Sequence, residues 1–327
     1  MLFHKLLVSW IISAAASLTI LGAWPASTRA QSYPDRPVRI IVPIGPGGAY
    51  DIIGRLLASK LTEQVGQTFF VENRTGAGTL VGTQAAAAAP ADGYTLVVGG
   101  LSNIVFNFAL YQKVPYEPDD LVPVALVYTF PYVMVARNEL PQRDLTEIIN
   151  YGRQSPGKLT VAHPGSGSGQ QIVAAAFMKM TGTTIVEVPY RSTQVAYPDL
   201  IAGRVDLLFD SVTSALPYVM NHKVRAIALL APQRYAKVPD LPTMAEAGLP
   251  GLGIESWIGL FAPAGTPPEV LGWLRQETRI AAAGLKERFE KTGGALMQLP
   301  IAETDKFIKS EFDLWTKVIR EAGIRLD

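Results

Sequence analysis

The sequence predicts an α/β fold in two lobes, each built on a largely parallel sheet flanked by helices. Three observations lead to this prediction. Short β-branched runs alternate with glycine-containing loops and amphipathic stretches, which is typical of α/β proteins with parallel sheets. The same alternation restarts after Pro141. About three hundred residues after a cleavable leader, with 48% hydrophobic composition, can bury a sizeable core and favour two domains.

The first thirty residues are predicted to be a secretory signal peptide. Lys5 precedes a long apolar run, and small residues follow at Thr28 and Ala30. This order of charge, hydrophobic core and cleavage site is typical of signal peptides. An uncleaved membrane anchor is the alternative, because the run approaches the roughly 20 residues that a spanning helix needs. We expect an exported, soluble protein that begins near Gln31.

In the first half of the chain, three β-branched runs are predicted strands. VRIIV (38–42) precedes a helical pattern at 51–65, in which apolar residues recur at helical spacing. TFFVEN (68–73) precedes an alanine-rich stretch that favours helix, and YTLVVGG (94–100) follows a turn sequence. The order strand, helix, strand, helix, strand predicts one βαβαβ unit.

The second half repeats this order and ends in helices. Predicted strands lie at 159–163, 184–190, 205–210 and 224–231, with helices between them, and two long helical patterns follow Pro267 and Pro300. The apolar stretches 124–136 and 254–263 are long enough to be strands that connect the two lobes.

Three glycine-rich turns lie where a predicted strand gives way to a helix. They are Gly45 to Asp51, Thr75 to Thr79 and Gly165 to Gln170. A helix start offers unpaired N–H groups and about half a positive charge, so such turns can hold an anion without lysine or arginine. Each could also be an ordinary turn of an open sheet. Because ligands bind beyond the carboxyl ends of strands, we expect a cleft between lobes that closes on a carboxylate-sized anion.

Other chemistries fit the sequence poorly. The first loop lacks the Gly-Lys-Ser/Thr ending of a P-loop, and Tyr50 stands where a dinucleotide fingerprint needs glycine. A nucleophile elbow needs serine at its centre, whereas the run Gly165 to Gly169 has glycine there. Histidine is scarce, cysteine is absent, and no metal-binding motif is present, so we expect neither a metal nor disulfides.

Charge argues against nucleic acid as a partner. Without residues 1–30 the chain loses Lys5 and Arg29, so 27 basic residues stand against 28 acidic ones, a formal net charge of −1. A protein that binds nucleic acid generally presents a basic face.

Several motifs, taken in order, resemble the Bug family. They are YPDRPVRIIVPIGPGG, VENRTGAGTLVG, PADGYTLVVG, VPYRS, AGRVDLLFD, LPTMAEAGLPG and W-x-GLFAPAGTP, and the match covers nearly all of residues 33–327. These proteins are the periplasmic binding components of tripartite tricarboxylate transporters. The resemblance implies a type II periplasmic-binding-protein fold with two connecting strands. It also implies a monomer without cofactor or catalysis, which captures a small carboxylate for a membrane transporter.

The resemblance also implies domain boundaries and a site. Residues 1–30 would be the signal peptide, 31–125 with 254–327 one lobe, and 126–253 the other. The expected ligand-binding residues are Pro46, Gly47, Gly48, Ala49, Tyr50, Gly76, Ala77, Gly78, Thr79, Ser102, Asn103, Ser166, Gly167, Ser168, Gly169, Gln170 and Asp210. The first two loops would hold the carboxylate through backbone N–H groups, with waters bridging towards Asp210.

Four charged or aromatic positions have particular interpretations. Asp51 is interpreted as the N-cap of the helix it opens. Asp210 would orient a loop or bind through water, because it would repel an anion directly. Arg74 is interpreted as structural. Tyr50 stands where the family more often has Thr or Ser, and could shorten the pocket, offer a hydroxyl or stack on an aromatic ligand.

The ligand and the partner stay open at this stage. Phe106 and Phe108 could add an apolar wall, and with Tyr50 they favour an aromatic or bulky carboxylate, although a dicarboxylate fits the resemblance too. A secreted hydrolase that uses Ser102 or Ser168 is the rival from another class. A binding protein that serves a membrane sensor, such as a sensor kinase, would use the same ligand chemistry.

Overall fold

Strands and helices alternate along the first part of the chain as the sequence predicts. The computed structural model describes residues 33–235 and 237–326, so the predicted signal peptide at 1–30 lies outside the described residues. The first elements are β1 (Val38–Val42), α1 (Ala49–Val65), β2 (Phe69–Asn73), α2 (Leu80–Ala87) and β3 (Thr95–Gly100). Strand β1 lies between β2 and β3 and is parallel to both, which gives the predicted βαβαβ unit.

The chain after β3 forms structure that the periodicity did not indicate. A π-helical turn, Leu101–Phe106, leads into α3 (Asn107–Leu110), and a 3₁₀ turn, Pro118–Asp120, precedes β4 (Leu121–Ala136). Short π-helical segments are uncommon and often lie at functional sites.

The second βα series follows β4. Its elements are α4 (Leu145–Gln154), β5 (Thr160–His163), α5 (Gly169–Thr181), β6 (Val186–Pro189), α6 (Thr193–Ile201), β7 (Leu207–Ser211), α7 (Val212–Met220) and β8 (Arg225–Leu230). Strand β5 lies between β6 and β7 and is parallel to both. The C-terminal elements are β9 (Glu255–Pro263), α8 (Pro268–Gly284), α9 (Lys286–Lys291), β10 (Ala295–Leu296) and α10 (Ile301–Ala322).

Strand β4 connects two half-sheets. Its residues 121–131 pair with β9, which also pairs with β3, whereas residues 132–136 pair with β7 and β8. We call β1, β2, β3, β9 and residues 121–131 the first half-sheet, and β5 to β8 with residues 132–136 the second. Strand β9 also begins beside the second half-sheet, because the N–H of Ile254 donates to the carbonyl of Leu230 in β8. Both predicted connecting strands are therefore present.

Each half-sheet has its own buried apolar side chains. Ile40 in β1 and Ile53 in α1 are fully buried in the first, and Leu208 in β7 and Tyr197 in α6 are fully buried in the second. The residues Arg36–Asp327 form one compact unit by contacts, so the boundaries of the lobes at 125/126 and 253/254 stay a prediction. Within the described part of the chain, no helix has the length and apolarity that crossing a membrane requires.

Candidate functional site

Five helices begin at one small cavity. Their N-cap residues all line it: Gly48 of α1, Thr79 of α2, Ser168 of α5, Ser192 of α6 and Ser211 of α7. Three of these helices follow the parallel strands β5, β6 and β7, and two follow β1 and β2. The first N–H groups of a helix have no acceptor inside it, and the helix dipole adds partial positive charge there. The cavity is therefore an environment for an anion.

The cavity measures about 30 Å³. Its described lining residues are Ile44, Gly45, Gly48, Ala49, Tyr50, Gly78, Thr79, Ser102, Phe130, Tyr132, Pro164, Ser168, Gln170, Ser192, Thr193 and Ser211. No Asp, Glu, Lys, Arg or His stands among these residues. An anion here would be held by backbone N–H groups, hydroxyls and an amide.

The structure brings eight of the predicted site residues to this cavity and places nine outside its lining. The eight are Gly48, Ala49, Tyr50, Gly78, Thr79, Ser102, Ser168 and Gln170. The nine are Pro46, Gly47, Gly76, Ala77, Asn103, Ser166, Gly167, Gly169 and Asp210. Their roles as ligand contacts stay predictions, and several have structural roles described below.

The predicted list of ligand-binding residues lacks eight of the lining residues: Ile44, Gly45, Phe130, Tyr132, Pro164, Ser192, Thr193 and Ser211. Of these, Gly45 does belong to the first glycine-rich turn that the sequence predicted to hold an anion. A signal for Ser192 and Ser211 was available, since serine directly after a strand-like run and before a helix is typical of an N-cap. Phe130 and Tyr132 lie in the middle of β4 and carry no such signal. Their position depends on how β4 crosses between the half-sheets.

The first loop corrects the interpretation of Asp51. The N-cap of α1 is Gly48, and Asp51 is the third residue of the helix. Its carboxylate accepts hydrogen bonds from the Gly47 N–H at 2.9 Å and the Asn73 amide at 2.8 Å, and pairs with Arg55 at 2.9 Å. The N-cap prediction is wrong because Asp51 reaches back from inside the helix. Its buried carboxylate fixes the loop and is occupied by these partners.

In the second loop, Gly78 makes a close approach between the two halves. Its φ is +70°, and a Cβ added to it would overlap the Ser166 carbonyl oxygen. The adjacent Thr79 accepts a hydrogen bond from the Asn107 amide at 2.9 Å. Glycine is therefore required at 78, both by backbone conformation and by space.

The π-helical turn positions Ser102 and Asn103 differently. The Ser102 hydroxyl lines the cavity and accepts a hydrogen bond from the Gly169 N–H at 3.1 Å, which joins the first half to α5. Asn103 is fully buried; it accepts from the Gly100 N–H and donates to Thr83 and to the Val98 carbonyl. Its side chain holds the turn in place.

Tyr50 forms part of the cavity wall and is 5% exposed. Its hydroxyl oxygen accepts a long hydrogen bond, 3.4 Å, from the Ser102 N–H. Burial raises the pKa of its phenol far above the usual value, so the side chain stays neutral. The expected apolar wall from Phe106 and Phe108 is absent from the described lining. Phe106, at the end of the π-helical turn, packs on Trp315 of α10, and Phe108 in α3 packs on Tyr116 and on Phe312 of α10.

Asp210 lies behind the cavity at the end of β7. It is fully buried and accepts hydrogen bonds from the Ser211 N–H at 2.8 Å, the Tyr197 hydroxyl at 3.0 Å and the Gln170 amide at 3.3 Å. Burial raises the pKa of its carboxyl to about 7, although these hydrogen bonds oppose the shift. Both Gln170 and Ser211 line the cavity, so Asp210 orients two of its residues.

Hydrogen bonds also cross directly from the second half to the first loop. The Gly47 carbonyl accepts from the Gln194 amide at 3.0 Å and the Ser214 hydroxyl at 3.3 Å. Gln194 in turn accepts from the Tyr218 hydroxyl at 2.8 Å. The loops of the two halves thus contact each other around the cavity.

The two candidate nucleophiles are engaged in structural hydrogen bonds. The Ser168 hydroxyl donates to the Gly165 carbonyl and accepts from the Gln171 N–H, as an N-cap does. Ser102 accepts from Gly169, as described above. His163 is buried at the end of β5, where burial lowers the pKa of its imidazole, and it is not among the described lining residues. Arg74 is exposed.

Sequence comparison relates the chain to a family of receptors. Residues 53–324 match the model of the tripartite tricarboxylate transporter family receptor. The UPF0065 protein in the tcbD-tcbE intergenic region of Pseudomonas sp. (strain P51) is 39% identical over 312 residues, 92% of this chain and 91% of that protein. Protein BugT of Bordetella pertussis is 33% identical over 305 residues, 92% of this chain and 94% of its own.

Solved structures agree in fold. MatC from Rhodopseudomonas palustris with bound malate is 32% identical, with a TM-score of 0.83 over 88% of this chain and 100% of that one. Rpa4515 of R. palustris with adipate is 30% identical, with a TM-score of 0.85 over 90% of this chain and 99% of that one. The predicted α/β periplasmic-binding-protein fold is confirmed. The match to the family model and the identity to these relatives show that the chain belongs to the tripartite tricarboxylate transporter receptor family, as the predicted resemblance to the Bug proteins implied.

Proposed function

We propose that this protein captures a small carboxylate between its two half-sheets in the periplasm and delivers it to the membrane subunits of a tripartite transporter. The observation that carries the proposal is the convergence of five helix N-termini on a cavity whose described lining has no charged side chain. Backbone N–H groups at helix starts bind carboxylates without a cationic side chain. The family receptors MatC and Rpa4515, with malate and adipate, support this ligand class.

Binding would couple to closure. Loops from the first half-sheet contact loops from the second through the Gly47 carbonyl and the Ser102 hydroxyl, so an anion in the cavity is enclosed by both. Enclosure removes water from the carboxylate and strengthens each N–H contact. A closed, loaded form also differs in surface from an open one, which is what a membrane subunit needs in order to distinguish them.

A thermal-shift panel tests the binding part of the proposal. The chain from Gln31 onwards is purified and heated with acetate, lactate, malate, citrate, adipate, nicotinate, phthalate and benzoate. At least one acid should raise the melting temperature, since binding to the folded state alone stabilises it. Glycerol and neutral amides of the same acids serve as controls. Equal shifts with acid and amide would contradict recognition of a carboxylate.

Turnover and transport separate the remaining interpretations. Ester hydrolysis that disappears in Ser102→Ala or Ser168→Ala would indicate an enzyme, whereas stabilisation without turnover indicates a receptor. For delivery, the labelled acid is offered to vesicles that contain the transporter's membrane subunits. We expect uptake only when this protein is present, and no uptake with it would contradict a transport role. Analysis of the secreted chain for an N-terminus near Gln31 tests the signal peptide.

A further inference from the structure

Tyr50 occupies an unusual place for a side chain in an anion site. It is the second residue of α1, so its backbone belongs to the helix start that would hold a carboxylate. Its ring nevertheless forms a wall of the same cavity. The backbone of Tyr50 thus belongs to the helix N-terminus that would bind the anion, and its side chain limits the size of the cavity next to that N-terminus.

The tip of the ring is fixed against the end of β3. The Tyr50 hydroxyl contacts the backbone of Gly100. A Cβ added to Gly100 would overlap this hydroxyl, so the phenol occupies space that is free only because residue 100 is glycine. The φ of Gly100 is −174°, an extended conformation that any residue adopts, so the need for glycine is steric. The Ser102 N–H holds the hydroxyl from the next turn. The Tyr50 ring therefore cannot shift or change rotamer without losing its contacts to Gly100 and Ser102.

The remaining walls leave little room. Phe130 and Tyr132 in β4, which are at most 3% exposed, line the same cavity. A cavity of about 30 Å³ is close to the space for one or two water molecules, far below the roughly 300 Å³ at the lower end of ligand pockets. Separation of the two halves enlarges the cavity towards the second half, but it does not move Tyr50, which is held by Ser102 and Gly100 of the first half. A short acid at the start of α1 therefore needs only a modest separation, whereas a long or aromatic acid that extends towards this ring would require Tyr50 to move.

We propose that Tyr50 is the specificity-determining residue that limits ligand length, so that this receptor takes linear carboxylates of about two to four carbons and excludes longer chains and aromatic acids. The inference rests on the proposed function, since it assigns the ligand class of the same cavity. It replaces the expectation of an aromatic or bulky acid, which depended on Tyr50 together with Phe106 and Phe108 lining the pocket; of these three, only Tyr50 lines it. Their rings pack towards α10 instead.

The test is a length series on the wild type and on Tyr50→Ser. Linear mono- and dicarboxylates of two to eight carbons, with benzoate added, are titrated by calorimetry. In the wild type, affinity should fall by about tenfold or more at the first methylene that does not fit, and benzoate should not bind. In Tyr50→Ser the limit should move to chains at least two carbons longer.

Two further variants separate size from the hydroxyl and guard against misfolding. Tyr50→Phe keeps the ring, so its length limit should equal that of the wild type even though the bond to Ser102 is lost. Tyr50→Leu should give an intermediate limit, and it replaces the serine variant if circular dichroism shows that the latter is unfolded.

The outcomes distinguish this inference from the proposed function. If no acid binds the wild type or any folded variant, the proposed function fails. If acids bind but the length profile is the same in wild type, Tyr50→Leu and Tyr50→Ser, or if benzoate binds the wild type as tightly as the short acids, the length limit is overturned and carboxylate binding stands.

Discussion

The helices of the two half-sheets differ in how often a side chain caps the N–H groups at their N-termini. In the first half-sheet, Gly48 and Thr79 make no side-chain capping bond among the described residues. In the second, the Ser168 and Ser211 hydroxyls accept from the Gln171 and Ser214 N–H groups of their own helices, whereas Ser192 of α6 makes no such bond among the described residues. A capped N–H is less available to a ligand. Two of the three helix starts in the second half are capped and neither start in the first half is, so we expect the first half to contribute more of the N–H groups that bind the anion.

The second half contributes closure. Its Gln194 and Ser214 bond to the Gly47 carbonyl, and its buried Asp210 orients Gln170 and Ser211. A carboxylate in this half would also disfavour a ligand anion nearby. Anion binding is thus assigned mainly to the first half and closure over the anion to the second, so substitutions can perturb the two separately.

The largest effect is expected where the two halves touch at Gly78. Gly78→Ala adds a Cβ that overlaps the Ser166 carbonyl, so the halves cannot approach, and carboxylate affinity should fall by about 100-fold, on the order of 3 kcal/mol. Gly157→Ala is the matched control. Its φ of +72° resembles the +70° of Gly78, but no heavy atom lies within 4 Å of the added Cβ. Calorimetry that shows equal affinity for both variants would contradict closure at this contact.

Asp210 should make stability depend on pH. Its folded-state pKa of about 7 is raised above the ordinary value, so between about pH 4 and 7 the folded protein holds a proton that the unfolded chain releases. The free energy of unfolding therefore falls as pH rises through this window and levels off above it. Compared with Asp210→Asn, the wild type should lose about 2 kcal/mol from pH 5 to 8 in urea unfolding.

His163 shifts stability in the opposite direction. Burial lowers its pKa, so neutral His163 makes the folded state more stable as pH rises through its ordinary range. Because His163 is present in both proteins, its contribution cancels in the difference. If the free energy of unfolding depends on pH in the same way in the wild type and in Asp210→Asn, Asp210 is ionised in the folded protein over the whole range from about pH 5 to 8.

Gln194→Leu should weaken the contact between the two halves without changing the N–H groups that bind the anion. It removes the bonds to Gly47 and Tyr218, so affinity should fall by about tenfold, chiefly through faster dissociation and equally for every bound acid. Tyr218→Phe removes only the bond that supports Gln194 and should have a smaller effect. Stopped-flow dissociation rates measure both. A loss that differs strongly between acids would place Gln194 in contact with the ligand.

The smallest effect concerns the caps. Ser168→Ala removes the capping bond of α5 together with the bond to the Gly165 carbonyl, and should lower the free energy of unfolding by about 1 kcal/mol, a decrease of a few degrees in melting temperature. Ser192→Ala is the control, because Ser192 makes no side-chain capping bond among the described residues. If both variants lose the same stability, the capping distinction between helix starts does not hold.

The regular elements followed from sequence because their signals are local. The run 38–42 and the stretch 51–65 carry strand and helix periodicity within a few residues, and the structure has β1 and α1 there to within two residues. The π-helical turn at Leu101–Phe106 has no such signal, because its form depends on Asn103 bonding to Thr83 and Val98 inside the core. The error at Asp51 was also local: the residue type suits a cap, but the loop places it three positions later.

By itself, the sequence determined the α/β alternation, the glycine-rich turns and the family, because each depends on residue types at fixed spacing along the chain. Only the tertiary structure decided which turns meet. Ser192 and Ser211 reach the cavity because β6 and β7, which are both parallel to β5, end beside it. Phe130 and Tyr132 reach it because β4 crosses between the half-sheets. The orientation of Tyr50 towards Gly100 likewise depends on residues fifty positions apart packing together, which no local pattern encodes.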